Sequence, residues 1–263
     1  MCPDQDVMVQ ADNVTFGYGG KTTLNDVSFQ AKAGEFIGLI GPNGSGKTTL
    51  MRCINGLLRP QKGSVFIDGK SIEKMKLKEI AKLCANVPAD CSEDFSLTVQ
   101  ELIFLGRYPH VDGMWWESKS DENVVLDAIK EFRLEELVDR HLNELSSGEK
   151  ARALLAKAVV QKPKVLLADE PSAHLDLRYK LEVMENLHNL SRQGVTVITA
   201  SHDMNLTSKY CDRVIMLGYG KMVAIGKPEE VITAELIREV YGVEVSVFKD
   251  GDEIFAIPRR SIR

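Results

Sequence analysis

Eight consecutive residues, Gly41-Pro42-Asn43-Gly44-Ser45-Gly46-Lys47-Thr48, place glycines, a lysine and a hydroxyl in the spacing G-x-x-x-x-G-K-[ST]. Glycines let successive backbone N–H groups converge on phosphate oxygens where a Cβ would block close approach. The apolar run Phe36-Ile37-Gly38-Leu39-Ile40 before the loop reads as a buried strand, and Thr49–Leu58 after it has helical periodicity. Strand, glycine turn and helix form the context in which this spacing becomes a phosphate site and not merely a connecting turn. The helix start adds unpaired donors and the positive end of its dipole. Lys47 is expected to reach the β- and γ-phosphates and Thr48 to hold Mg²⁺ through its hydroxyl, with Thr49 completing the loop's binding set. The chemistry is that of a nucleoside triphosphate site.

A second set of residues points the same way. Lys164-Val165-Leu166-Leu167-Ala168-Asp169-Glu170-Pro171 is an apolar strand that delivers two carboxylates at its tip. Ligands gather at the carboxyl ends of strands in open α/β sheets. Asp169 is expected to hold Mg²⁺, directly or through water, and Glu170 to polarise an attacking water. Read locally, the pair can also be helix N-cap acids. Leu145-Ser146-Ser147-Gly148-Glu149 precedes the helical run Lys150–Val160, with Ser146 or Ser147 as N-cap and Glu149 in capping-box position for Ser146.

The elements that must position these residues follow from patterning. Residues 7–30 alternate apolar and polar with the period of half-buried antiparallel strands, broken at Gly17, Gly19 and Gly20, which leaves Tyr18 at a loop. Val65-Phe66-Ile67 is another short strand, and residues 71–86 read as a helix followed by a strand ending at Val87-Pro88. Residues 95 to 161 read as a mostly helical lobe with a loop at Pro109–Trp116. From 164 the order is strand (Val165–Ala168), helix (Leu177–Leu190), strand (Val195–Ala200), which is the pattern of parallel βαβ units. Strands at Val214–Leu217 and Met222–Ala224, a helix over 229–241, and a hairpin of Val243–Phe248 and Ile254–Ile257 complete the chain. The expected division is residues 1–94 and 162–263 as the core with its antiparallel β subdomain, and about 95–161 as the lobe.

Composition narrows the class. At 263 residues, 44% apolar and 27% charged, the chain suits a folded protein with a substantial interior. The net charge of −5, with Lys and Arg dispersed among carboxylates, leans away from a nucleic-acid partner. Cys2, Cys53, Cys84, Cys91 and Cys211 have no metal-ligand spacing, and their odd number favours free thiols in a reducing compartment. The opening Met1-Cys2-Pro3-Asp4 lacks a charged-then-apolar leader, so Cys2 is not expected to carry a lipid. No apolar run is long enough to span a bilayer, so any membrane spans must come from another chain.

The phosphate loop, the Asp169-Glu170 strand tip and Leu145–Glu149 together resemble the ATP-binding cassette ATPases over nearly the whole chain. The resemblance implies an α/β fold: a P-loop NTPase core with a mixed and parallel sheet, an N-terminal antiparallel β subdomain, and a helical lobe. Leu145–Glu149 is similar to the family signature, usually L-S-G-G-Q, with Ser147 for Gly and Glu149 for Gln. By resemblance this segment closes over ATP bound to the opposite protomer, Ser146 and Gly148 donating to its γ-phosphate with Ser147 and Glu149 beside them. Tyr18 matches the aromatic that stacks on adenine. Ser172–Asp176 resembles the loop along the dimer seam, and it can also start a helix with Asp176 as cap. His202 resembles the histidine that contacts the γ-phosphate. Where relatives carry a glutamine ligand after a strand and Val-Pro, this chain has Ala89, and Asp90 is expected to replace it on Mg²⁺ unless the acids Asp90, Glu93 and Asp94 are a solvated loop.

Thr98–Leu102, Leu105-Gly106-Arg107-Tyr108-Pro109-His110, Asp203–Leu206 and Tyr241–Val245 are similar to ATPases of importers for iron–siderophore, haem and vitamin B12. Trp115 and Trp116 can help dock a membrane partner or pack in the lobe. The resemblance implies a homodimer with two ATP sites, ATP and Mg²⁺ as cofactors, and integral-membrane permease subunits. It also implies an extracellular or periplasmic substrate-binding protein acting indirectly, and a place on the cytoplasmic face of the membrane. Two other classes share parts of this pattern. A soluble cassette protein in DNA repair, chromosome structure or translation would carry a long coiled coil or two cassettes in one chain. A small-molecule kinase with a phosphate loop would lack the signature.

Overall fold

The computed structural model describes residues 6–89, 97–111, 119–251 and 253–262. In chain order the strands and helices begin with β1 (Val7–Tyr18), β2 (Lys21–Lys32), β3 (Phe36–Ile40), α1 (Lys47–Ile54), β4 (Lys62–Ile67) and β5 (Lys70–Ser71). Then come α2 (Leu77–Leu83), β6 (Cys84–Val87), α3 (Val99–Leu105), α4 (Lys119–Glu131), α5 (Ser147–Val160), β7 (Val165–Asp169) and α6 (Leu177–Arg192). The last are β8 (Thr196–Ala200), α7 (Met204–Tyr210), β9 (Arg213–Gly218), β10 (Lys221–Gly226), α8 (Pro228–Val231), α9 (Ala234–Tyr241), β11 (Val243–Asp250) and β12 (Glu253–Ser261).

The central sheet has the order β10-β9-β3-β8-β7-β6. Neighbours from β9 to β6 run parallel, and β10 is antiparallel at the edge. β3 and β8 are buried along their full length, as expected of strands covered on both faces. A second, antiparallel sheet of order β2-β1-β4-β5 faces it. Between them lies a core of Val9, Val14, Leu24, Val27, Leu39, Leu50, Ile54, Val65, Ile67, Leu167 and Ile198 with their neighbours, in which α1 contributes its buried face. α3, α4 and α5 pack by Ile103, Leu102, Val125, Ile129, Leu154 and Leu155 onto the other side, continuous with Leu166, Ala168 and α6.

Side chains stitch the lobe helices to the sheet. Gln161, the C-cap of α5, donates its amide to the carbonyls of Ala81 and, at 3.0 Å, Cys84, which opens β6. His110 Nε2 lies 2.8 Å from the Gln161 carbonyl, and Arg107 donates to Asp121 at 2.7 Å and to the Val160 carbonyl at 2.6 Å.

Several expectations are refined. The helix over 229–241 is two, because Ile232 leaves helical geometry and Thr233 caps α9, its hydroxyl accepting from the Leu236 amide at 3.3 Å. The segment over 71–86 opens with a single tight turn at Ile72–Lys74 before α2. Of the lobe helices α3 is short, at 7 residues against 13 and 14 for α4 and α5, and single turns such as Tyr108–His110 and Leu142–Glu144 lie between them. Cys53, Cys84 and Cys211 are free and buried; burial pushes the Cys53 and Cys84 thiols up to about 12, so they behave as inert core groups.

Candidate phosphate site

β3 runs straight into the loop, and the loop into α1. Gly41 and Gly46 carry φ of 151° and 106°, where side chains are strained. Space excludes them too. A Cβ at Gly41 would stand 2.3 Å from the Leu217 carbonyl oxygen, and one at Gly46 would stand 2.6 Å from Leu24 Cδ2. β9 and β2 therefore press on the loop from opposite sides. Lys47 is only 6% exposed. Its ammonium donates to the Gly41 carbonyl at 2.7 Å and the Pro42 carbonyl at 3.3 Å. Desolvation lowers its pKa, while Glu170 and then Asp169 oppose that by their charge. A cation held by two of the loop's own carbonyls, facing two carboxylates, keeps a third donor for a phosphate oxygen. Ser45 Oγ is buried with no hydrogen-bond partner, and it too points to a group that the loop is built to receive.

Asp169 ends β7 opposite Ala200 of β8, and Glu170 follows in left-handed backbone (φ 50°) with its amide bonded to the Ala200 carbonyl at 3.0 Å. That turn redirects Glu170 to His202, whose Nε2 is 2.5 Å from Glu170 Oε1. His202 sits just past β8, before α7, where Asp203 caps with bonds to the Asn205 and Leu206 amides at 3.1 and 3.0 Å. Asp169 and Glu170 are not N-cap acids: the N-cap of α6 is Asp176, which makes no side-chain cap bond. Thr48 is half-buried on the first turn of α1, and Thr49 beside it is buried. The Glu170–His202 pairing has no sequence signal, since it joins the ends of separate strands.

The signature segment is built otherwise. Ser146 is the N-cap of α5 in a complete capping box. Its hydroxyl donates to Glu149 Oε2 at 2.7 Å, its amide donates to the same oxygen at 2.8 Å, and its Oγ accepts from the Glu149 amide at 3.4 Å. The Ser146 bonds, side-chain first, hold the Glu149 carboxyl below its ordinary range. Ser147 opens the helix on the exposed side, while Gly148 is buried under Tyr179 of α6, whose ring lies 2.5 Å from where a Cβ would stand. Tyr18 is 48% exposed at the tip of β1, edge-on to Phe16 with ring centroids 4.9 Å apart. It closes the strand rather than lying in a loop. Asp90, Cys91, Glu93, Asp94, Trp115 and Trp116 lie outside the described residues, as does Cys2.

A parallel sheet whose strand tips gather a glycine loop, a buried lysine, two carboxylates and a histidine defines a nucleotide-hydrolysing α/β ATPase. The sequence matches the ABC transporter family over residues 24–173. It is 39% identical over 254 residues to the petrobactin import ATP-binding protein FpuC of Bacillus anthracis, covering 96% of this chain and 93% of that one. It is 36% identical to the hemin import ATP-binding protein HmuV of Bordetella avium, over 91% of this chain and 94% of that one. Its fold matches the dimeric structure of MJ0796, a bacterial ABC transporter cassette, with a TM-score of 0.72 and 27% identity over 84% of this chain and 99% of that one. The chain belongs to the ABC transporter family, as an ATP-binding and ATP-hydrolysing subunit.

Proposed function

We propose that this chain is the motor of an importer for an iron–siderophore, haem or cobalamin-type cargo. It works as a homodimer that holds two ATP molecules at its seam. It serves integral-membrane permease subunits from the cytoplasmic face, with a substrate-binding protein delivering cargo outside. Among the described residues no helix is long and apolar enough to cross a membrane. The observation that carries the reading is the convergence of Lys47, Asp169, Glu170 and His202 at the tips of β3, β7 and β8, with Ser146 displayed on a separate, exposed helix start.

In this reading the loop amides from Gly41 to Thr49 and the Lys47 ammonium cradle the phosphates, and Tyr18 stacks on adenine. Glu170 orients and polarises the attacking water, its carboxylate placed by His202, which also faces the γ-phosphate. Ser146, Ser147, Gly148 and Glu149 of one copy cover the nucleotide of the other, the helix start offering donors to the γ-phosphate. Mg²⁺, when bound, supplies charge neutralisation at the β- and γ-phosphates; Thr48 and Asp169 would hold it, with Asp90 in place of the glutamine that Ala89 lacks. The hydroxyl-and-carboxylate donor set suits a hard, phosphate-bound cation, and no cluster of three or more His, Cys, Asp or Glu able to hold a metal alone is present among the described residues. ATP binds the closed dimer better than the open pair and so acts as a reversible cross-link.

The test is to isolate the chain with its membrane partner and measure ATPase activity against ferric siderophores, haem and cobalamin presented with the cognate binding protein. Stimulation by one class assigns the cargo, and failure to assemble with any membrane subunit overturns the importer reading. Asp90→Ala tests the substitute ligand: unchanged turnover across a Mg²⁺ titration removes Asp90 from the metal site.

A further inference from the structure

The three atoms nearest to the place of a Gly148 Cβ all belong to one side chain: Tyr179 Cδ1, Cγ and Cε1, at 2.5, 2.6 and 2.7 Å. Carbon atoms in contact stand about 3.5–4.0 Å apart, so the ring fills the space that a side chain at 148 would take. Gly148 lies in the helical backbone of α5 and its φ is not positive, so its dihedral angles do not call for glycine. Room for the Tyr179 ring does.

Tyr179 is the third residue of α6, half-buried against the core that also holds Leu145 and Leu175. Leu145 belongs to the signature segment and Leu175 to the loop Ser172–Asp176, so both segments are rooted in one core. Ser146 and Glu149 bond to each other, which shapes the cap but does not set where it points. Leu145 below and the Tyr179 ring at Gly148 do that. The start of α6 is tied in turn to the strand tip. The Lys180 amide donates to the Asp176 carbonyl at 2.9 Å, and the Ala173 amide donates to the Glu170 carbonyl at 3.0 Å. The ring therefore joins the signature to a short run of chain that begins at Glu170.

We propose that Tyr179 is a positioning residue for the signature segment: its ring takes the place of a side chain at Gly148 and fixes the start of α5 against the start of α6. Gly148 is small so that the ring can seat there, and the segment's donors are then presented at one angle to the nucleotide of a second copy. Placement of this kind acts on turnover and leaves a chain's own grip on nucleotide unchanged. The inference rests on the reading of Leu145–Glu149 as the cover of a neighbouring copy's ATP.

The experiment uses the full-length chain carrying Tyr179→Ala, Tyr179→Leu or Tyr179→Phe, and Gly148→Ala alone and together with Tyr179→Ala. Titration calorimetry with ADP reads the loop of each chain, ATPase turnover reads the two copies together, and chemical denaturation reads stability. Tyr179→Ala and Tyr179→Leu should lower kcat roughly ten- to hundredfold, the scale of a misplaced group, with ADP affinity within about twofold of the parent. Tyr179→Phe keeps the ring and should restore turnover. The double variant removes the clash of Gly148→Ala, so its stability loss should be less than the sum of the two singles, while kcat stays low. A destabilised Tyr179→Ala with parent-like kcat would leave only packing and overturn the proposal. Stability losses that simply add would overturn it too, as would a Tyr179→Phe as slow as Tyr179→Ala. In a Glu170→Gln background, Tyr179→Ala should need more ATP to form the trapped dimer seen by light scattering. If Glu170→Gln alone stays monomeric with ATP and Mg²⁺, the two-copy reading itself has failed and the proposal falls with it.

Discussion

The phosphate loop and the signature segment both offer backbone amides at a helix start, yet they are held in different ways. The loop is locked by what surrounds it: left-handed glycines wedged between the Leu217 carbonyl on one side and Leu24 on the other, and a lysine parked on its own carbonyls. The signature is capped by its own residues, Ser146 and Glu149 exchanging three hydrogen bonds at the surface, while Leu145 and Gly148 seat it on the core and on Tyr179 of α6. The loop parks its cation on its own carbonyls beside two carboxylates, whereas the signature's serine is turned onto the first turn of its own helix.

The largest expected effect breaks the loop side of this comparison. Lys47→Ala should abolish nucleotide binding or hydrolysis while leaving the fold intact, since the lysine neutralises charge and does not fill the core. A folded variant with near-normal turnover would count against the loop. Glu170→Gln comes next. Hydrolysis should fall by roughly 10²–10⁴-fold, the range of a lost general base, with ATP binding kept. Light scattering with ATP and Mg²⁺ should then show a trapped dimer.

Two glycine substitutions sharpen the contrast further. Gly46→Ala meets a left-handed backbone, Leu24 and the Thr23 carbonyl, so it should lose about 1–3 kcal/mol from strain alone. Gly148→Ala is in ordinary helical backbone, yet its Cβ would stand 2.5 Å from the Tyr179 ring, which must give way. Chemical denaturation should find it destabilised by that clash and not by backbone strain, and dimer closure should suffer. The smallest effect belongs to Glu149→Gln. The carboxylate's lowered pKa means its cap bonds are present above the usual carboxylate range and are lost as pH falls through the lowered value. The amide variant should be insensitive over that acid window, and it should close on ATP somewhat better, having one negative charge fewer near the γ-phosphate. Identical acid titrations for parent and variant would remove Glu149 from the cap.

Much of this arrangement could be read from the chain because local signals and tertiary structure agree. The loop spacing, the apolar strand ending in Asp169 and the S-x-x-E cap at Ser146 each carry their own physical reason, and each stands where expected. The hairpin formed as its turn residues imply. What sequence could not display were contacts between distant segments. Glu170 meets His202 only because β7 and β8 are neighbours. The break at Thr233 was missed for another reason. The apolar spacing runs through it, so only the hydroxyl's choice of the Leu236 amide reveals two helices.

Gln161 closes α5 and is bound to the sheet, whereas Ser146 opens the same helix and is bound to nothing beyond it. A helix of 14 residues is about 21 Å long, at ~1.5 Å per residue. A rotation of roughly 10° about its β6 end would carry the signature through about 4 Å, more than the length of a hydrogen bond. In the proposed dimer, that much rotation would separate touching a neighbouring copy's phosphate from missing it.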